Sequence, residues 1–132
     1  MSPEQELFDY FFARCLELTD QVYDWLPPED QVGLKYPFVH VGQVSTVSEG
    51  TKLSMGGQYD IVISAWGTLK NRLEVVELAQ KIYQMAVGSF KTEHYRFFGA
   101  FNQQQKQILN DTSVPNTVFV RGMCTLRVHL NQ

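Results

Sequence analysis

Residues 117–130, TVFVRGMCTLRVHL, decide the fold, and they read as the cleanest β-strand of the chain. The even positions are apolar and point one way, with Gly122 between them, and the odd positions point the other way. This period-two alternation is typical of a strand with one face on a core. At ~3.4 Å per residue the strand would extend over roughly 45 Å, so we expect it to bend at Gly122 or to meet another subunit. The even positions are Val118, Val120, Cys124, Leu126, Val128 and Leu130, and the odd ones are Thr117, Phe119, Arg121, Met123, Thr125, Arg127 and His129.

Three further strands are predicted upstream of this one. Residues 36–47, YPFVHVGQVSTV, are rich in β-branched and aromatic residues, and residues 58–66 alternate between two faces. Residues 93–103, EHYRFFGAFNQ, are the third strand. The polar segment 104–116, which contains Asn, Asp, Ser and Pro, is predicted to be the turn before the last strand.

Two helices complete the prediction. Apolar residues recur at helical spacing over 4–20 and over 71–87. Ser2 before Pro3 suits the start of the first helix, and Asn71 with an acid three residues later resembles a capping box for the second. The order is αββαββ, which predicts a single α+β domain, 1–132, with a mostly antiparallel four-stranded sheet and helices on one face.

The segment 48–57, SEGTKLSMGG, contains three glycines and two serines and is predicted to be a mobile loop at the tip of a hairpin. We expect it to become ordered against a neighbouring subunit or another partner. Its side chains of interest are Glu49, Lys52, Leu53 and Met55.

Charge and composition exclude several classes of protein. Apolar residues make up 44% of the chain and aromatic ones 13%, which excludes a disordered chain. No apolar run approaches the ~20 residues of a membrane span, so no membrane is expected as a partner. Residues 1–30 hold eight acids and one base, whereas the remaining residues carry a net charge of +4. The overall charge of −3 argues against a dedicated nucleic-acid binder.

No arrangement of residues indicates catalysis, a cofactor or a metal site. The chain lacks phosphate-binding, zinc-protease and nucleophile-elbow motifs, and its three histidines lack metal-ligand spacing. His40 is better explained as a structural histidine. Cys15 and Cys124 are interpreted as small buried hydrophobic residues, and their number favours a reducing compartment.

The outward side of the predicted strands is the candidate functional surface. If helices cover only one side of the sheet, apolar residues on the other side are exposed and rimmed by polar ones, which marks an association surface. The alternative is that the chain's own segments cover them. The candidate interface residues are Trp66, Val62, Phe119, Met123, Arg121 and Arg127.

Four features resemble the tail-completion proteins of long-tailed bacteriophages, also called tail-to-head joining or tail terminator proteins. Residues 36–43, YPFVHVGQ, resemble a family segment of the form Tyr-Pro-Phe/Tyr-Val-x-Val/Ile-Gly-Glu, with Gln43 where Glu is common. The strand 59–66, YDIVISAW, the helix 74–87 and the closing strand 117–130 also correspond to the family pattern. Together they cover about residues 36–130.

The resemblance implies a structural protein of the virion tail and neck, not an enzyme. Such proteins are α+β subunits that form a ring on the virion, commonly a hexamer, and some of them are monomeric in solution. The ring closes the tail tube and joins it to the head connector after assembly in the bacterial cytoplasm. DNA passes through the bore without specific binding, and an acidic bore would keep it from adhering.

Two other functions remain open at this point. A small protein-binding module of a cellular complex would have the same layout, no catalytic activity and a different partner. An enzyme with an unrecognised site is disfavoured because no catalytic constellation is visible. Neighbouring genes for a tail tube or a head connector would favour the phage role.

Overall fold

The computed structural model describes residues 1–47 and 57–131, and these residues form two α-helices and one seven-stranded sheet. The helices are α1 (Pro3–Leu16) and α2 (Arg72–Tyr83). The strands are β1 (Val22–Tyr23), β2 (Phe38–Val47), β3 (Gln58–Thr68), β4 (Gly88–Lys91), β5 (Arg96–Gly99), β6 (Gln105–Asp111) and β7 (Phe119–Asn131). The predicted mobile loop, with Glu49, Lys52, Leu53 and Met55, lies outside the described residues except for Gly57.

The sheet is built around β3 and β7, which are antiparallel and in register from Gln58↔His129 to Thr68↔Phe119. The strand order is β1-β2-β3-β7-β5-β4, and β6 also pairs with β7. β1 runs parallel to β2, whereas the other pairs are antiparallel. The long strand β7 is unbroken, and the chain itself pairs with both of its edges, because β3 lies on one side and β5 and β6 follow each other on the other.

The predicted four-stranded αββαββ fold is wrong. The chain is mostly β, with 42% strand and 26% helix, in a single mixed sheet of seven strands. β1 and β4 have two and four residues, which is too short to show a period in the sequence. β6 lies in the segment 104–116, which was predicted to be a turn. An edge strand tolerates such polar residues because one edge and one face meet water.

A buried amide side chain joins β5 and β6 to the central strand. The chain leaves β7 after Gly99, makes a short 3₁₀ turn at Phe101–Gln103 and returns to β7 at Gln105. Gln104 fills the gap: its Oε1 accepts a hydrogen bond from the Arg127 N–H at 2.9 Å, and its Nε2 donates to the Arg127 carbonyl at 2.8 Å. The polar groups of β7 are therefore paired where no strand lies beside them.

Both helices pack on the same face of the sheet, where they bury one hydrophobic core. α1 contributes Leu7, Phe11 and Cys15, and α2 contributes Val75, Ala79 and Ile82. The pairing of β7 with β3 continues through Gly122 without a shift in register. A Cβ at this position would lie 2.7 Å from the Ala79 Cβ, so the glycine instead lets α2 approach the strand.

The two helices differ in the hydrogen bonds that cap their N-termini. Ser2 caps α1 as predicted, since its Oγ accepts a hydrogen bond from the Gln5 N–H. The capping box predicted for Asn71 is wrong, because the Asn71 side chain accepts hydrogen bonds from the backbone and hydroxyl of Thr68 instead. Among the described residues, neither helix has the length and hydropathy that crossing a membrane requires.

Candidate assembly interface

The side of the sheet opposite the helices is the candidate interface, and we call it the open face. It consists of the side chains on β2, β3, β6 and β7 that point away from the core. Along β7 the burial alternates strictly, with fully buried residues toward the helices and half-buried ones on the open face. No helix of the described residues covers this side.

The structure brings all six predicted interface residues together on the open face, on the paired strands β3 and β7. Val62 and Met123 are half-buried at its centre, opposite Thr125 and Ser64 respectively in the strand register. Arg127 forms a two-point ion pair with Asp60, in which Nε and Nη2 donate to the two carboxylate oxygens at 2.9 and 3.1 Å. This geometry fixes the guanidinium flat on the face.

Trp66 is not exposed, contrary to the expectation for the outward side. Only 9% of its surface is accessible, and the Arg121 guanidinium lies 5.0 Å from its ring centre. Arg121 is held there because its Nε donates to the Ser64 Oγ at 3.0 Å. Within the described residues, the Trp66 indole N–H is buried without a hydrogen-bond partner.

Residues of the segment 24–37 line a cavity together with Trp66 and so form a roof at this end of the open face, which the sequence did not reveal. The ring of Tyr36 stacks on Phe119 at 5.7 Å, and it also contacts Phe38 at 5.6 Å. The chain's own polypeptide therefore narrows one end of the open face, whereas Val62 at its centre stays half-exposed among the described residues.

A small cavity of about 110 Å³ lies between this roof and the sheet. We call it the end pocket. Its walls are Leu26, Pro27, Tyr36, Phe38, Trp66, Val114 and Phe119, with the polar residues Glu29, Asp111 and Ser113. Leu26 is a wall residue with 51% of its surface exposed, so apolar surface continues from the cavity to the outside. The sequence had singled out Tyr36 and Phe38 in a predicted strand and Trp66 and Phe119 as candidate interface residues, but nothing in it indicated that residues 26–29 would meet them.

Three titratable groups with shifted pKa values are His40 on β2 and the core residues Cys15 and Cys124. Burial, and next the nearby Arg121, lower the pKa of His40 below its usual value, so the imidazole is neutral at pH 7. Cys15 and Cys124 are free and buried, and burial raises both thiol pKa values to about 12. In the described ranges, no three His, Cys, Asp or Glu side chains lie close enough together to hold a metal ion.

Comparison with solved structures gives a match over nearly the whole chain. No protein-family model matches the chain, and no curated protein matches it. Among solved structures, the chain is similar to a chain of the virion of a native gene transfer agent (GTA) particle. The match covers 92% of this chain and 84% of that one, with 19% sequence identity and a TM-score of 0.60. At this identity the likeness shows that the two chains share a fold.

Proposed function

We propose that this chain is a structural protein of a phage-like virion. One observation carries the proposal: nearly the whole chain has the fold of a chain found in a gene transfer agent virion. The open face adds support, since an uncovered sheet surface with apolar residues at its centre is typical of a subunit that associates with other chains.

Within such a virion we propose the role of a tail-completion, or tail terminator, subunit. The resemblance of residues 36–43 and of the following strands and helix to that family supports this role. Copies of the chain would form a ring, commonly a hexamer, that closes the tail tube and joins it to the head connector. DNA would pass through the bore, and no catalytic step is assigned to the chain.

The experiment that tests this role locates the chain in particles. Tailed particles are purified from cells that encode the chain, and the chain is identified by mass spectrometry and by immunogold labelling in electron micrographs. We expect the label at the neck, between head and tail. Intact particles that lack the chain, or label elsewhere on the particle, would contradict the proposed role.

If copies associate through the open face, charged side chains at its centre should weaken that association. Val62→Lys with Met123→Lys should weaken self-association of the purified chain about tenfold or more, because buried lysines would lose their hydration at the contact. Sedimentation velocity over a range of concentrations measures this. Val87→Lys is the matched control, since Val87 is exposed and lies outside the open face. An equal effect of the control would count against the open face.

A further inference from the structure

The turn that leads into α2 exposes two leucines among positive charges. Leu69 and Leu73 have 57% and 70% of their surface exposed, and Lys70 and Arg72 beside them are exposed as well. We call residues 69–73 the basic turn. Its shape is fixed locally, because the Asn71 side chain accepts both the backbone N–H and the hydroxyl of Thr68. Large exposed leucines on an ordered turn are a surface that another protein can cover.

The end pocket is complementary to the basic turn, both in its apolar surface and in the sign of its charges. Its walls are apolar and aromatic, and its two charged lining residues are Glu29 and Asp111. Ser113 donates hydrogen bonds to the Asp111 carboxylate from its backbone N–H at 2.9 Å and from its hydroxyl at 2.6 Å. These bonds lower the pKa of Asp111, so this carboxylate is ionised at neutral pH. Arg121 lies near Asp111, and in the part of the chain that the structure describes no base lines the pocket beside Glu29.

The two features lie at the same end of the sheet but on opposite sides of it. The end pocket opens on the open face, since Phe38, Trp66 and Phe119 all point that way. The basic turn follows Thr68 directly and leads into α2, which packs on the helix face. One copy of the chain therefore cannot insert its own basic turn into its own end pocket, whereas two copies can make the contact head to tail.

We propose that the basic turn of one copy inserts into the end pocket of the next copy. Leu69 and Leu73 would contact the pocket's apolar walls, and Arg72 would pair with Glu29 at its rim. A head-to-tail contact joins two different surfaces. A row of such copies therefore ends with one free surface of each kind, and these two meet to close a ring when the rotation between copies allows it. The proposal rests on the proposed function and names two surfaces that contribute to the contact between copies.

Two charge-reversal variants, each purified separately, test the contact. Arg72→Glu places an acid opposite Glu29 of the next copy, and Glu29→Arg places a base opposite Arg72 of the next copy. Each variant alone should associate about tenfold more weakly than the wild type, because the charges at the contact repel each other. An equimolar mixture should recover wild-type association, since every turn then meets a pocket of opposite charge.

The measurement is sedimentation velocity of the full chain at low salt, up to about 1 mM, where contacts as weak as −4 kcal/mol are populated. Lys91→Glu and Glu93→Arg, both exposed at the far end of the molecule, are the matched controls and should associate like the wild type, alone or mixed. Circular dichroism checks that all variants are folded.

A wild-type chain that stays monomeric at that concentration, or a mixture that fails to recover, would overturn the inference. Its failure is separate from that of the proposed function. Particles that carry the chain at the neck while the mixture fails would contradict this contact alone. A mixture that recovers, with particles that lack the chain, would contradict the virion role alone.

Discussion

Trp66 has a structural role at the scale of the single residue. Its indole lines the cavity beside the roof formed by residues 24–37, the Arg121 guanidinium lies 5.0 Å from the ring centre, and almost all of its surface is buried. The sequence placed it on the outward side of β3, and it does lie there, but its burial means that a substitution acts first on folding. Phe119 is half-buried under the stacked ring of Tyr36 and belongs to the same cluster.

We therefore expect Trp66→Ala to destabilise the chain by about 3–5 kcal/mol, as is usual when a large buried aromatic side chain is removed. Urea unfolding followed by circular dichroism, at a concentration where the chain is monomeric, measures the loss. Met123→Ala on the same face is the matched control and should cost clearly less, because Met123 is only half-buried. A loss for Trp66→Ala no greater than for the control would mean that the roof does not stabilise the monomer.

At the scale of the elements, Gln104 links β5 and β6, which pair one after the other with the same edge of β7. The backbone of Arg127 in β7 has no strand beside it on that edge, and the buried amide of Gln104 supplies both the acceptor and the donor. The same amide also donates to the Ala100 carbonyl at 2.9 Å, which ties the intervening turn to the sheet. An apolar side chain of the same size cannot do this.

Replacing Gln104 with leucine should cost about 1–3 kcal/mol, the usual penalty for buried backbone groups left without partners. Thermal unfolding measures the loss, and hydrogen exchange of the Arg127 amide should become faster. Gln105→Leu is the matched control: its side chain is exposed on the adjacent strand β6, so the change should be close to neutral. An Arg127 amide that stays as protected as in the wild type would contradict this account.

At the scale of the whole molecule, one carboxylate ties the first helix to a turn 88 residues away. The side chain of Glu6 in α1 is only 5% exposed. It accepts a hydrogen bond from the His94 backbone N–H at 3.0 Å and lies 2.6 Å from the His94 Nδ1. Burial raises the pKa of Glu6, but hydrogen bonds from Thr92 and from the backbone and ring of His94 outweigh it and lower the pKa to about 2.

Because the folded-state pKa of Glu6 lies below its ordinary value of 4.5, the ionised carboxylate stabilises the fold above that pH. This contribution is lost as the pH falls from 4.5 through about 2. Glu6→Gln should therefore be less stable than the wild type at neutral pH, and the difference should shrink over that range. Urea unfolding at several pH values measures it. A difference in stability that is constant with pH would contradict the role of the ionised form.

The sequence predicted the elements in which a periodic pattern of apolar residues continues over many positions. The strand over 117–130 corresponds to β7, and the helix over 71–87 corresponds to α2, because each holds enough alternating or helically spaced residues to be distinguished from chance. It also placed Val62, Trp66, Phe119, Arg121, Met123 and Arg127 on one side of the strands, since the direction of a side chain in a strand follows from its position alone.

Only the tertiary structure decided the number of strands, the pairing along both edges of β7 and the burial of Trp66. β1 and β4 are too short to show a pattern, and the polar strand β6 is held by its pairing with β7 and by contacts with α2. The roof comes from residues 24–37, which are distant from Trp66 in sequence and show no periodic pattern of apolar residues. Burial depends on which segments meet in space, whereas alternation along one segment fixes only which way its side chains point.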